Sequence, residues 1–213
     1  MEDLSHYRKS YEKGQLIESA IPTDPMLLFN QWFHEVRDSG NVDEVNAMTV
    51  ATAGIDGFPK SRVVLLKQFT DEGFVFYTNY NSEKGMSIAH NPRICISFFW
   101  YSHERQVIIK GVAEQTAPEV SEAYFENRPH GSQLGAVVSN QSEVLSSREE
   151  LEQKLSQLES EYQNKEVPRP QHWGGYLVRP VEIEFWQGRA NRLHDRIRYK
   201  KVENGWKIER LAP

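Results

Sequence analysis

The chain of 213 residues carries 25 Lys+Arg against 30 Asp+Glu, a net charge of −5, with 38% hydrophobic, 11% aromatic and 26% charged residues. This composition is that of a globular protein, with no apolar run near the roughly 20 residues of a spanning helix, and its acidity argues against a generic polyanion binder. The lone cysteine, Cys95, excludes an intrachain disulfide and a cysteine-rich zinc site; between Ile94 and Ile96 it reads as core. The stretch from Met1 to His6 lacks a basic run followed by an apolar one, so no signal peptide is expected and the default location is cytoplasmic.

Leu28, Trp32 and Val36, with Phe29 and Phe33 beside them, recur at helical spacing and predict a helix from Asp24 to Asp38. Thr23 is its expected cap, Pro25 suits its first turn, and Gly40 ends it. From Ala47 the texture turns to short β-rich runs. Met48 to Ala51, Arg62 to Leu66 and Gly73 to Tyr77 read as strands, separated by turns at Gly54–Gly57 and Asp71–Gly73. Ile94 to Tyr101 and Gln106 to Val112 form a predicted hairpin around Ser102 and His103. Helices are expected over Ser82 to His90, Pro118 to Asn127 and Ser147 to Asn164, and Val167 to Pro170 reads as a spacer. Further strands are expected at Tyr176 to Val178, Val181 to Trp186, Leu193 to Lys200 and Trp206 to Arg210, the last two joined by the hairpin signal Asn204-Gly205. Many short strands with scattered helices imply one mainly β, barrel-like domain with peripheral helices.

Familiar catalytic motifs are missing. Gly54, Gly57, Lys60 and Ser61 have phosphate-loop ingredients at the wrong spacing, and the seven histidines never pair as metal ligands, so no metal site is expected. What remains is a set of cations beside apolar or helix-starting segments. Arg62 and Lys67 bracket Val63 to Leu66; their odd spacing puts them on opposite strand faces unless a bulge intervenes, either facing different anions or snorkelling at strand ends. After Tyr77, Thr78 and Asn79, a helix starting near Ser82 with Lys84 in its first turn makes a phosphate cradle, or an ordinary capped helix. Tyr124, Arg128 and Ser132 suit a second anion clamp, because Pro129 ends the helix at Arg128 and Ser132 lies near the next helix start. On a strand, Arg192, His194 and Arg196 share one face, with Trp186 upstream as either a planar surface suited to a flat heterocycle or a core tryptophan. Two phosphorylated aromatic ligands, without metal or nicotinamide fingerprint, point to flavin chemistry.

In order, Tyr7-Arg8-Lys9-Ser10-Tyr11, Arg62 to Lys67, Phe76 to Asn79, Glu104 to Val107, Arg128-Pro129, Phe185 to Gly188, Arg192 to Arg196 and Glu209 to Pro213 resemble the pyridoxamine 5′-phosphate oxidases, FMN enzymes of vitamin B6 metabolism. The resemblance covers nearly the whole chain. It implies an FMN-binding split β-barrel over residues 1–213, with residues 1–20 as a mobile lid carrying Arg8 and Tyr11, working as a homodimer that shares its flavin sites. It assigns FMN to Arg62, Lys67, Tyr77, Thr78, Lys84, Gln106, Gln141, Ser142, Trp186 and Arg196. It assigns the substrate, pyridoxamine or pyridoxine 5′-phosphate, to Lys67, Tyr124, Arg128, Ser132, Arg192 and His194, the last two at the reacting end, with dioxygen as oxidant and neither nucleic acid nor membrane as partner. One departure is Glu83, where many relatives carry arginine; a carboxylate there weakens a dianion site unless its side chain turns away. Two other readings are a non-catalytic split-barrel flavin or B6-phosphate binder, of which a mere FMN binder has no need of Tyr124, Arg128, Arg192 and His194 together, and a basic-cleft RNA binder, which the net charge disfavours.

Overall fold

The computed structural model of the protein describes residues 2–213. In chain order its elements are α1 (Pro25–Asp38), β1 (Ala47–Ala53), β2 (Pro59–Leu65), β3 (Gln68–Thr70), β4 (Gly73–Asn79), α2 (Glu83–His90), β5 (Arg93–Trp100) and β6 (Arg105–Gln115). There follow α3 (Pro118–Glu126), α4 (His130–Val138), α5 (Arg148–Glu161), β7 (Trp173–Gln187), β8 (Asp195–Val202) and β9 (Gly205–Leu211). The strands hydrogen-bond in the order β2-β1-β5-β6-β7-β4-β3, with β8 on β7 and β9 on β8, so the fold is mainly β with peripheral helices. Among the described residues no helix is long and apolar enough to cross a membrane. The chain forms two compact units, one from Met1–Val50, Cys95–Gly111 and Pro180–Pro213, the other from Ala51–Ile94 and Val112–Arg179.

In the first unit α1 buries Leu28, Phe29, Trp32 and Val36, the stripe that its periodicity requires. Phe29 lies 5.2 Å from Phe98, and Trp32 meets Phe185 edge-on at 5.2 Å, contacts that add to the roughly 1.5–3 kcal/mol each such buried side chain contributes. The cap is Asp24 rather than Thr23: one residue closer to the helix, its carboxylate accepts the Met26 amide two residues on. The last two strands pair antiparallel from Arg196 opposite Leu211 to Val202 opposite Gly205. The two-residue turn is therefore Glu203-Asn204, one residue earlier than expected, and Gly205 at φ +106° opens β9.

The expected strand from Leu193 begins only at Asp195, because Asn191 and Arg192 turn the chain through positive φ, 56° and 61°. Arg192 and His194 therefore do not share a strand face with Arg196, and the period-two argument fails for them. The two strands expected at Tyr176 to Val178 and Val181 to Trp186 are one fifteen-residue strand, β7, with Pro180 inside it; proline's fixed φ is compatible with extended backbone.

In the second unit β4 is buried along nearly its whole length and pairs antiparallel with β3 and with the first half of β7, Tyr77 opposite Gly175. Helix α5 lays Leu155 and Leu158 on a cluster of Phe125, Leu134, Val167 and Trp173. Val167 is thus core, and the expected spacer is pinned at its first residue. Helix α2 starts where expected, with Ser82 Oγ accepting the Gly85 amide at 3.3 Å. A Cβ at Gly85 would come within 2.1 Å of the Tyr80 carbonyl oxygen, so Gly85→Ala must push that end of α2 outward. The variant should lose about 2–3 kcal/mol in a denaturant titration, against a wild-type midpoint if the close approach were slack.

Candidate active site

A cavity of about 1050 Å³ opens in the second unit. It is lined by the strand ends of β2 and β4, the start of α2, the helices α3 and α4, and the loop at Gln141. Of the expected ligand-binding residues it brings together Arg62, Lys67, Tyr77, Thr78, Lys84, Tyr124, Arg128, Ser132, Gln141 and Ser142. Among the described residues Lys60, Arg62, Lys67, Lys84 and Arg128 line it with Glu83 as the one carboxylate, five cations to one anion in a chain of net charge −5. A concave, cationic wall with backbone donors is a site for phosphate esters.

At the α2 end, Lys84 is only 8% exposed and its Nζ donates to Gln141 Oε1 at 2.6 Å, Thr78 Oγ1 at 3.1 Å and Ser82 Oγ at 3.3 Å. Burial, then the nearby Arg62 guanidinium, bring its pKa down to about 8, with Glu83 opposing. Arg62 is half-buried, and its pKa is also lowered by burial; its NH1 donates to Thr52 Oγ1 and to the Lys60 carbonyl, both at 2.9 Å. Glu83 pairs its carboxylate with Lys60, and its backbone N–H donates to Ser142 Oγ at 3.2 Å. The side chain that would oppose a dianion is thereby neutralised by an ion pair.

The other end is aromatic. Tyr77 stacks on Tyr124 with centroids 3.8 Å apart and planes 9° from parallel, and Tyr124 is in turn nearly parallel to Trp173. Burial, then Tyr124, raise the Tyr77 phenol's pKa, so that phenol remains neutral at ordinary pH. The Arg128 guanidinium lies 4.6 Å from the Trp173 ring centre, and its NH1 is buried with no hydrogen-bond partner among the described residues. Burial pushes its pKa down, yet arginine stays charged, leaving an unsatisfied cationic donor at the cavity wall. Ser132 sits in the first turn of α4, as its spacing from Pro129 implied.

The remaining expected residues lie in the first unit. The rings of Trp186 and His194 are 4.7 Å apart, and Tyr11 lies 5.8 Å from each. His194 Nδ1 accepts the Arg189 amide at 3.1 Å, which leaves the neutral imidazole with its proton on Nε2. Arg196 is held bidentate by Glu184 at 2.7 and 3.2 Å and donates to the Ala212 carbonyl. Gln106 stands half-buried on β6, Arg192 is exposed, and Arg8 is exposed with its Nε donating to the Ser5 carbonyl.

Sequence reasoning missed Lys60 and Trp173 as lining residues. Lys60 carried a usable signal, since it stands two residues before Arg62 on β2 and so on the same strand face. Trp173 carried none, because its contact with Arg128 joins residues 45 positions apart.

Residues 35–162 match the family model described as "Pyridoxamine 5'-phosphate oxidase", and residues 173–213 match the "Pyridoxine 5'-phosphate oxidase C-terminal dimerisation region". A pyridoxine/pyridoxamine 5'-phosphate oxidase of Flavobacterium psychrophilum is 66% identical over the full length of both chains. Among solved structures, PhzG of Burkholderia lata in complex with tetrahydrophenazine-1-carboxylic acid is 30% identical over 93% of this chain and 98% of that one, with a TM-score of 0.87. A pyridoxamine 5'-phosphate oxidase-related, FMN binding protein of Nostoc punctiforme, 14% identical, covers 91% of this chain and 100% of that one at a TM-score of 0.72, which fixes the fold as the split barrel. With a cationic cavity where the order of motifs required one, and with these matches running along both of its halves, the chain belongs to the pyridoxine/pyridoxamine 5′-phosphate oxidase family.

Proposed function

We propose that the protein is a homodimeric, FMN-dependent oxidase that converts pyridoxamine or pyridoxine 5′-phosphate to pyridoxal 5′-phosphate with dioxygen, in the cytoplasm. The observation that carries this reading is the cavity with five cations against one carboxylate, because two phosphate esters are the ligands that such a wall accommodates. The residues fit the cofactor. Lys84 is a buried cation with hydroxyl and amide neighbours, and the start of α2 adds its dipole. The unpartnered Arg128 NH1 is the kind of donor that a second phosphate satisfies.

Arg62, Lys84, Thr78, Gln141 and Ser142 would hold the FMN phosphate, with Tyr77, Lys67, Gln106, Trp186 and Arg196 as further contacts from one subunit or the other. Lys67, Tyr124, Arg128 and Ser132 would anchor the substrate phosphate, and Arg8 and Tyr11 would cover it from a lid formed by residues 1–20 of the single domain. Bound FMN would supply the two-electron acceptor for the substrate's C4′ carbon and its reoxidation by dioxygen to hydrogen peroxide. The protein's part is placement, since holding two reactants in register is worth several orders of magnitude in rate. Arg192 would fix the C4′ substituent through its donors. His194, with Nδ1 engaged by Arg189, presents an Nε2–H and therefore orients by donating a hydrogen bond.

The purified protein should be yellow and bleach when pyridoxamine 5′-phosphate is added without air; a colourless protein, or one whose colour persists, contradicts the oxidase reading. The match of residues 173–213 to a dimerisation region supports the shared site. Sedimentation should therefore find a dimer down to dilute concentration, and an active, FMN-bound monomer would refute it.

A further inference from the structure

Glu104 is a carboxylate with 2% exposure in a turn between two strands, at φ 55°. Burying an ionised carboxylate is costly unless it is fully hydrogen-bonded, and a left-handed non-glycine residue adds backbone strain, so a turn alone does not account for glutamate here. Its partners are specific. Oε2 accepts the backbone N–H groups of Glu12 at 2.8 Å and Lys13 at 2.9 Å, and Oε1 lies 3.5 Å from Lys9 Nζ. The Glu104 carbonyl in turn accepts the Gly188 amide at 2.7 Å and Gln187 Nε2 at 3.2 Å. One residue thus holds the N-terminal segment by its side chain and the end of β7 by its backbone. Between these two attachments the Tyr11 ring lies so close to Gly188 that a Cβ there would meet it at 2.8 Å.

We propose that Glu104 is a positioning residue for the oxidase reaction: its buried carboxylate, closed on the amides of Glu12 and Lys13, fixes Tyr11 against Gly188, Trp186 and His194 and through Tyr11 sets the affinity for substrate. This rests on the proposed function, in which Tyr11 covers the substrate. Glu104 touches neither ligand in this scheme; it acts by keeping the segment from residue 9 to residue 13 in one conformation, so that its ordering is completed on folding and need not be supplied by substrate binding. Methionine keeps the unbranched shape of the side chain and removes both acceptors, whereas glutamine keeps an oxygen for the two amides and gives up the charge and the oxygen that faces Lys9.

The segment carries its own reporters, because trypsin cleaves after Arg8, Lys9 and Lys13. Limited trypsin digestion of FMN-loaded Glu104→Met should cut there at least roughly fivefold faster than wild type, while Glu104→Gln stays within about twofold. Steady-state assays with pyridoxamine 5′-phosphate should give Glu104→Met a KM raised about tenfold with kcat within about twofold, and Glu104→Gln should restore KM. Unchanged cleavage in Glu104→Met overturns the anchor, and faster cleavage with an unchanged KM overturns its link to substrate. Should Glu104→Met not fold, Gly188→Ala displaces Tyr11 with the carboxylate contacts intact and should raise KM similarly; an unchanged KM there has the same force. A wild-type chain that bound no FMN would refute the proposed function alone, and the same tryptic contrast, run on the unloaded chains, would still decide the anchor.

Discussion

Replacing Arg192 with leucine should slow the anaerobic reduction of bound flavin by on the order of 10²-fold or more, while the protein stays folded, dimeric and yellow. Arg192 is exposed, and among the described residues its side chain makes no hydrogen bond or ion pair, so folding loses little with it. The left-handed φ of 61° is no worse for leucine than for arginine, so the backbone strain cancels in the comparison. What leucine removes is a fixed charge and five donors at the proposed reacting end. His194→Asn should be milder. Its amide oxygen can take over the acceptor role that Nδ1 plays toward the Arg189 amide, and its NH₂ retains some donor capacity. Stopped-flow reduction decides the matter: wild-type rates in both variants would place the reacting end elsewhere.

Lys84→Met should weaken FMN binding by about tenfold or more and leave riboflavin binding nearly unchanged, since a charge-assisted contact to phosphate contributes about 1.5–3 kcal/mol. The pH dependence is the sharper half of this expectation. With its pKa brought down to about 8, chiefly by burial, Lys84 is protonated below that pH in the ligand-free protein and neutral above it. A phosphate dianion favours the charged form, so FMN binding takes up a proton at high pH, and affinity should fall by up to about tenfold per pH unit as pH rises through 8. The phosphate itself is already dianionic there, with a pKa of about 6. Fluorescence titrations of the apoprotein at pH 7 and pH 9.5 should differ for wild type and coincide for Lys84→Met; a flat wild-type profile would remove Lys84 from the phosphate site.

The elements most legible in the sequence were those set by local rules. Helix α2 begins at Ser82 because a serine hydroxyl three residues before a glycine amide is a local cap, and the stripe of α1 follows from period alone. The gathering of Arg62, Lys84 and Arg128 about one cavity was legible as two separate clamps, and their juxtaposition came only with the pairing of β4 and β7. Arg192 and His194 were placed by a periodicity they do not obey: Asn191 is a residue type that tolerates positive φ, but Arg192 beside it adopts positive φ with no local cause such as glycine. Glu104 was opaque for the opposite reason. Glu-Arg in a strand turn reads as solvated charge, and its true partners are backbone amides more than ninety residues away, which leave no mark on side-chain pattern.

A wall of five cations has a consequence for handling the apoprotein. Without a ligand these groups repel one another and leave the Arg128 NH1 without a partner among the described residues, so small oxyanions in the buffer should compete for the proposed phosphate positions. An anion at a hundred times its dissociation constant raises unfolding free energy by about 2.7 kcal/mol. The apoprotein should accordingly melt several degrees higher in phosphate or sulfate than in a chloride buffer of equal ionic strength. The same anions should make FMN titrations look weaker by simple competition.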